Sequence, residues 1–336
     1  MGLARYGVLK AAVLDRQPAT SASPHYQLLC SVSGERWRIA INARSKQAPS
    51  EVAYAVVSPF GHPTVAVADA LADGWRELPE RTAAGGGLDF IRGNLCQPED
   101  FTPLPISEPG PGNDLDELFD FHLRPLIDDP DARVCAFGQS WGPENAADQY
   151  FGFEPGQGVH DIHQNQGNSG QFTGDDGVWQ DGGLLVHRAG VWTAILLRFQ
   201  SQAWHTDDST GHTLPGVPPE PPGEPGLPPT TAAALRIVAA AVNPPGPAPE
   251  HERVLLLNTT YAPVGLEGWK IAVDHGAVKL GGAVPAAEVL GIDMPPTAPL
   301  SNKGGRISLL DPDGLKVHGV AYTGAQAAGE ERLIVF

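Results

Sequence analysis

The strongest constraint on the fold is a proline-rich run over residues 215–229, PGVPPEPPGEPGLPP. Eight of its fifteen residues are proline. Because proline fixes φ and has no backbone N–H, neither a helix interior nor a central strand accepts so many. A stiff, extended linker is therefore predicted over residues 214–230. It divides the 336-residue chain into a first domain, residues 1–213, and a second domain, residues 231–336.

Hydrophobic patterning indicates a β-rich first domain with one amphipathic helix. The spacing of leucine and phenylalanine predicts a helix over residues 113–127, with Asn113 or Asp114 as N-cap and Pro125 at its kink or end. Apolar residues on both faces of residues 191–202 predict a central strand covered on both sides. We therefore expect an α/β or α+β domain built on a mixed sheet. Further strands are predicted over residues 6–14, 25–30, 36–42, 52–57, 133–138, 158–165 and 183–187.

The second domain has the pattern of an all-β protein. Short apolar or alternating runs are separated by turn sequences, among them Asp311-Pro-Asp-Gly. Strands at this spacing are typical of a sandwich of about a hundred residues. The predicted strands cover residues 235–242, 253–258, 268–273, 306–310, 317–322 and 332–336.

Charge and composition limit the partners of the chain. The formal net charge of −17 argues against broad binding to a nucleic-acid backbone, so a nucleic acid is expected only as the substrate of a metal-dependent enzyme. No apolar run approaches the roughly eighteen residues of a membrane span. No secretory signal is visible, so we expect a cytoplasmic protein, with export by another route left open. The three cysteines have neither zinc nor disulfide spacing and are expected to be reduced core residues.

A cluster of histidines marks the predicted functional segment. Five of the eleven histidines lie between His160 and His212, interleaved with aspartates. If residues 159–165 form a strand, then Asp161, His163 and Asn165 share one face; in a helical turn, His160 and His163 become neighbours. Either geometry brings two possible ligands together.

Metal-assisted hydrolysis is the chemistry that these residue types favour. Imidazole and carboxylate groups suit Zn, Mn or Fe, and an open coordination position would accept a water nucleophile. The predicted metal ligands are His160, His163, His205 and Asp207. The predicted catalytic groups are Asp161 or Asp208, to orient or deprotonate the water, together with His212 and Arg92. Asn165, Asn168 and Trp204 are predicted to contact the substrate, and Asp89 and Asn94 to reach the same cleft as Arg92.

Three alternatives to a metal hydrolase stay open from the residues alone. The histidines and aspartates can simply bond to backbone groups and cap turns. A metal-free phosphodiesterase of the phospholipase-D type would use His160 or His163 as nucleophile and His205 as acid, although its His-x-Lys motif is missing. A non-catalytic protein would use the same polar pocket to bind a small ligand or a partner.

The second domain resembles a bacterial lamin-tail domain. The similarity lies in RVLLLN (253–258), VGLEGWK (264–270), LSNKGGRISLLDPDG (300–314) and VHGVAY (317–322). The resemblance implies an immunoglobulin-like sandwich in which Asn258 ends the second strand, Leu266-Glu-Gly-Trp269 forms a buried turn and Gly304-Gly305 begins a late strand. It departs from the family at His318, where an acidic residue is usual, which affects expected surface contacts. Such domains often accompany hydrolases, which implies docking to a substrate, an envelope component or a protein partner.

The first domain is similar to the bacterial YukJ-like family. The matching segments are YGVLK (6–10), HYQ (25–27), DFIRGNL (89–95), FGQSWGPE (137–144), GVHDIHQNQGNSG (158–170), DDGVWQDGGLLVH (175–187) and FQSQAWHTDDSTGH (199–212). They extend over most of residues 1–213. The resemblance implies no activity, so the chemistry has to be argued from the residues.

Overall fold

The fold is described from a computed structural model of the chain. The structure describes residues 5–20, 23–44, 52–78, 88, 93–104, 115–165, 180–199, 234–246, 251–312, 314, 316–329 and 332–336. The side chains of Pro98, Asn165, Gln180 and Asp181 are not part of the description. The predicted proline linker lies outside the described residues, so the domain boundaries stay a prediction.

Strands dominate the first domain, as expected. The strands described before residue 200 all belong to one mixed sheet. Its strands are β1 (Tyr6–Gln17), β2 (His25–Val32), β3 (Glu35–Asn42), β4 (Val52–Val57), β5 (Gly74–Glu77), β6 (Thr102–Pro103), β7 (Arg133–Glu144), β8 (Gly156–His160), β9 (Gln164–Asn165), β10 (Gln180–Asp181), β11 (Gly183–Arg188) and β12 (Val191–Phe199).

Five of these strands close into a barrel. The hydrogen-bonded order is β1-β2-β3-β8-β7, and β7 pairs back to β1. All neighbours are antiparallel except β3 and β8, which run parallel. This connectivity is that of an OB-type barrel. Alternate side chains fill the interior, for example Tyr26 and Leu28 of β2 and Ile39 and Ile41 of β3.

The sheet forks at β7. The first half of β7, Arg133–Phe137, pairs with β11, whereas its second half pairs with β8. From β11 the sheet continues through β12 to β4. Leu196 of β12 packs into one hydrophobic cluster and Leu197 into another, which confirms the prediction of a strand covered on both faces.

Helices are few and short. Helix α1 (Pro63–Ala70) precedes β5, and helix α2 (Asp116–Leu123) precedes β7 and packs Phe119 and Leu123 against the barrel core. The helix predicted over 113–127 ends at Leu123, and Pro125 lies in a separate 3-10 turn, Arg124–Leu126, which confirms that the helix ends near this proline. Asn113 and Asp114 lie outside the described residues. Within the described ranges, no helix has the length and apolarity needed to cross a membrane.

The second domain consists of strands around one hydrophobic core. The strands are β13 (Leu235–Ala241), β14 (Arg253–Asn258), β15 (Val264–Gly265), β16 (Lys270–Val273), β17 (Gly276–Lys279), β18 (Ala283–Val284), β19 (Val289–Asp293), β20 (Gly304–Leu310), β21 (Lys316–Thr323) and β22 (Ile334–Val335). Two four-stranded sheets, β19-β14-β13-β22 and β17-β16-β20-β21, share this core, and β15 pairs with β18. The short helix α3 (Gly324–Ala327) follows β21 and begins with a capping box at Thr323.

Candidate functional site

The histidine segment crosses the fork in the sheet. The chain leaves β8 at His160 and passes over Gly138 of β7, where a Cβ atom would lie 2.3 Å from the carbonyl oxygen of His160. It then reaches Gly182, whose backbone N–H donates to the carbonyl of His163. A Cβ atom on Gly182 would lie 2.2 Å from the His163 nitrogen. Both crossings therefore require glycine, and they fix residues 160–163 between the barrel and its extension.

The predicted continuous strand over residues 158–165 is wrong in one respect. Strand β8 ends at His160, and a new short strand begins only at Gln164. Asp161 has φ of +56°, in the left-handed region, which breaks the alternation of side chains. Asp161 and His163 therefore do not share a strand face: Asp161 is partly exposed, whereas His163 is buried.

A hydrogen-bonded pair forms the accessible part of the site. His160 Nδ1 lies 3.0 Å from Asp161 Oδ2, and each side chain is 38% exposed. The hydrogen bond from His160 is the largest cause that lowers the pKa of Asp161, and the charges of nearby histidines lower it further. Asp161 is therefore ionised at neutral pH. Its hydrogen bond fixes the tautomer of His160 with the proton on Nδ1, which leaves the Nε2 lone pair available.

His163 is a buried and neutral imidazole. Its side chain is 7% exposed and its ring makes an edge contact with Phe199 at 4.3 Å between centroids. Burial lowers the pKa of His163 to about 4, even though Asp161 acts in the opposite direction. Among the residues described, none hydrogen bonds to Nδ1 of His163. A neutral ring with an unpartnered nitrogen is the form in which histidine binds a metal ion.

His25 belongs to this site, and sequence reasoning missed it. Tyr26, Ile39 and Val159 face the barrel interior, so alternation puts His25 of β2 and His160 of β8 on the outer face. Burial is the main cause that lowers the pKa of His25, and the charge of Asp161 raises it. No local signal links His25 to the histidine segment, because the barrel pairing alone brings them together.

A buried ion pair supports the same outer face. Arg38 of β3 donates to Asp148 at 2.6 Å and to Gln27 at 2.8 Å. Its guanidinium also lies between the rings of Trp141 and Tyr150, at 4.5 and 4.6 Å from their centroids. The Trp141 ring in turn lies 5.6 Å from that of His160. Arg38 thus supports the Trp141 ring that packs beside His160, and Asp148 neutralises the charge of Arg38.

The structure tests only some of the predicted site residues. Asn94 does not reach the histidine cleft, because its side chain is buried against the second domain. His187, also within the histidine segment, contacts Trp192, with the ring centroids 4.8 Å apart and the ring planes tilted by 32°. In the described part of the chain, no three histidine, cysteine, aspartate or glutamate side chains come together as metal ligands. Outside the described residues lie Asp89, Arg92, Asn168, Trp204, His205, Asp207, Asp208 and His212, as does the side chain of Asn165.

Fold and site together define a β-barrel protein with a histidine–aspartate pair at a fork in its sheet. The chain belongs to the family described as "Uncharacterized conserved protein (DUF2278)", which matches residues 1–211. It is 38% identical over 213 residues to "Uncharacterized protein YukJ" of Bacillus subtilis (strain 168). That similarity covers 62% of this chain and 94% of the relative. No solved structure matches the chain.

Proposed function

We propose that the chain is a metal-dependent hydrolase that cleaves a phosphodiester or a related ester bond at the fork in the sheet. The observation that carries the proposal is the His160–Asp161 pair, with Nδ1 and Oδ2 3.0 Å apart. Histidines that bind a catalytic metal usually donate their other ring N–H to a carboxylate, which orients the ring and raises its basicity. Asp161 has this relation to His160, so Nε2 of His160 is the proposed ligand atom.

The charge of the site also favours a bound cation. Asp161 is ionised, while burial lowers the pKa of both His25 and His163 and keeps these rings neutral at pH 7. Asp148 neutralises the nearby Arg38. The ionised carboxylate of Asp161 would repel a phosphodiester. A divalent Zn, Mn or Fe ion would reverse this sign.

His163 offers a second imidazole as a proposed ligand. His205 and Asp207, which lie outside the described residues, would complete the set. Such a metal would lower the pKa of a bound water and make it a nucleophile at neutral pH. Asp161 orients His160, and Asp208 and His212 are the proposed acid–base groups. Arg92, Asn165, Asn168 and Trp204 would contact the substrate.

A metal-free phosphodiesterase is the second candidate, and the same pair favours it. A histidine whose Nδ1–H is held by a carboxylate is the arrangement of a general base or a histidine nucleophile. In this version His160 attacks phosphorus through Nε2 and His205 protonates the leaving group. The first version requires a cation that activates a water nucleophile, whereas in the second His160 is the nucleophile and no cation is required.

We propose that the second domain is an immunoglobulin-like sandwich of the lamin-tail type. Three details support this. Strand β14 ends at Asn258, Leu266 is buried in a turn, and β20 begins at Gly304. Two sheets also share its core. His318 is not a surface residue, since it is 7% exposed and accepts a hydrogen bond from the backbone N–H of Ile237.

The test is turnover of bis(p-nitrophenyl) phosphate by the full chain after chelator treatment, with Zn²⁺, Mn²⁺ or Fe²⁺ restored. The metal proposal predicts activity only with metal, a loss of at least about 100-fold in His160→Asn, and a loss of about 10- to 100-fold in Asp161→Asn. His275→Asn is the matched control, because His275 is exposed in the second domain. Activity that survives the chelator but not His160→Asn supports the metal-free version. No turnover in any condition supports a non-catalytic binding protein.

A further inference from the structure

A short segment of the first domain, residues 93–97, contacts both domains. Residues 93–97 follow the described Leu88 and precede a 3-10 turn at Pro98–Asp100. Leu95 and Cys96 are buried in a hydrophobic cluster of the first domain. Asn94 and Gln97 instead hydrogen bond to the second domain. The segment therefore holds the two domains together from both sides.

The side chain of Asn94 occupies a polar pocket between β20 and β21, which we call the Asn94 receptor. Its Nδ2 lies 3.1 Å from the carbonyl oxygen of Ile307, 3.0 Å from that of Val320 and 3.3 Å from Ser308 Oγ. Its Oδ1 accepts from Lys316 Nζ at 2.9 Å. Asn94 is 6% exposed and Lys316 is 7% exposed. Donors and acceptors are matched on both ends of the amide, as buried polar groups require.

The receptor is shaped for this side chain. A Cβ atom on Gly319 would lie 2.1 Å from Asn94 Oδ1, and the three atoms nearest to it all belong to the Asn94 side chain. Asn94 also adopts φ of +52°, an uncommon value outside glycine, and asparagine tolerates it better than most residues. On the first-domain side, His62 Nε2 lies 2.6 Å from the carbonyl oxygen of Gly93 and supports the turn.

Further contacts surround the receptor. Gln97 donates to the carbonyl oxygen of Gly319. At the exposed edge, Arg236 of β13 lies 2.5 Å from Glu99. An ion pair this exposed contributes little by itself, so the buried amide carries the specificity.

We infer that the second domain is a permanently docked internal partner, fixed to the first domain by the Asn94 receptor. It is not a module that swings freely on a proline linker. The alignment with the Bacillus relative covers 94% of that protein, and the remainder is too short for a second domain of this size. The family fold thus occurs without the second domain, and in this chain Asn94 provides the surface to which the added domain binds.

The test is to cut the linker in the otherwise intact chain. A protease site is inserted within residues 214–230 and cleaved after folding. The cleaved protein is then run on a size-exclusion column at about 1 µM, which shows whether the two halves stay associated. Without the cut, the tether supplies an effective concentration in the millimolar range, which hides weak docking. We expect the wild-type halves to elute together. Asn94→Asp keeps a partner for Lys316 but loses its donors to the carbonyls, so we expect the dissociation constant to rise by roughly 100-fold or more.

Gly319→Ala approaches the same receptor from the second domain. It should separate the cut halves when Asn94 is present and have little further effect in Asn94→Ala, because the three atoms nearest to the new Cβ all belong to the Asn94 side chain. Asn302→Ala, at an exposed turn, is the control and should leave the halves together. Circular dichroism of the uncut variants establishes that they fold. Separation of the cut wild-type halves, or an Asn94→Asp protein that elutes like wild type, would overturn the inference.

Discussion

His62 gives the chain a specific sensitivity to acid. This residue caps the N-terminus of α1, where its Nδ1 accepts from the backbone N–H of Thr64 at 3.0 Å. Its Nε2 lies 2.6 Å from the carbonyl oxygen of Gly93, and the side chain is 5% exposed. Protonation would place a hydrogen on Nδ1 facing another N–H group. Burial is the main cause that lowers the pKa of His62 to about 4, from an ordinary value of 6.5.

The sign and size of the effect follow from proton linkage. Between pH 6.5 and 4 the unfolded chain binds a proton at His62 and the folded chain does not, so acid favours unfolding. At pH 7.5 both states are neutral and the contribution is negligible. At pH 5.5, one unit below the ordinary pKa, the unfolded state gains roughly 1 kcal/mol from protonation of this residue.

The variant His62→Asn removes the contribution of His62 to the pH dependence of stability. An asparagine oxygen can still cap α1, but the hydrogen bond to Gly93 is lost, so the variant should be about 1 kcal/mol less stable at pH 7.5. Its further loss of stability on going to pH 5.5 should be smaller than that of wild type by roughly 1 kcal/mol. Urea unfolding followed by tryptophan fluorescence at the two pH values measures this difference. His275→Asn, at an exposed position, should follow wild type. An equal loss in wild type and His62→Asn would refute the reasoning.

Three further predictions concern the first domain. Arg38→Met leaves Asp148 buried without its partner and should lower stability by about 3–5 kcal/mol in urea unfolding; adding Asp148→Asn should restore much of the loss. Gly182→Ala should destabilise the fold and move the amide NMR signals of residues 160–163 in particular, because the new Cβ would overlap the His163 backbone; unchanged signals would contradict the described crossing. Burial raises the pKa of all three thiols, so Ellman's reagent should react with none in the native chain and with all three in urea; the thiols are Cys30, Cys96 and Cys135.

Local patterns predicted the longer strands, but not short ones such as β5 and β17, and not how the strands pair. The alternation of Trp37, Ile39 and Ile41 correctly indicated β3, because a half-buried strand needs one apolar face. The parallel pairing of β3 with β8 joins residues more than a hundred positions apart, and no local pattern encodes it. Closure of the barrel therefore had to come from the structure.

The candidate site was predictable only in part. Sequence reasoning found His160, Asp161 and His163 because they are adjacent and rich in ligand atoms. It treated them as one strand, whereas the positive φ of Asp161 turns the chain and makes the His160–Asp161 pair possible. It also assigned Asn94 to the cleft. The contact of Asn94 with the second domain could not be predicted, because hydrophobic periodicity does not indicate which polar side chains bind another domain. His25 was missed because its proximity to His160 depends on the pairing of the barrel strands, which no local pattern encodes.

Metal binding by His160 is the central claim, and isothermal titration calorimetry with Zn²⁺ tests it most directly. The metal-free full chain is compared with His160→Asn and with His275→Asn, a histidine control of equal charge. We predict one stoichiometric site in wild type and in the His275 variant, with affinity lowered at least about 100-fold in His160→Asn. Absence of a site in wild type, or equal affinity in all three proteins, would contradict the account.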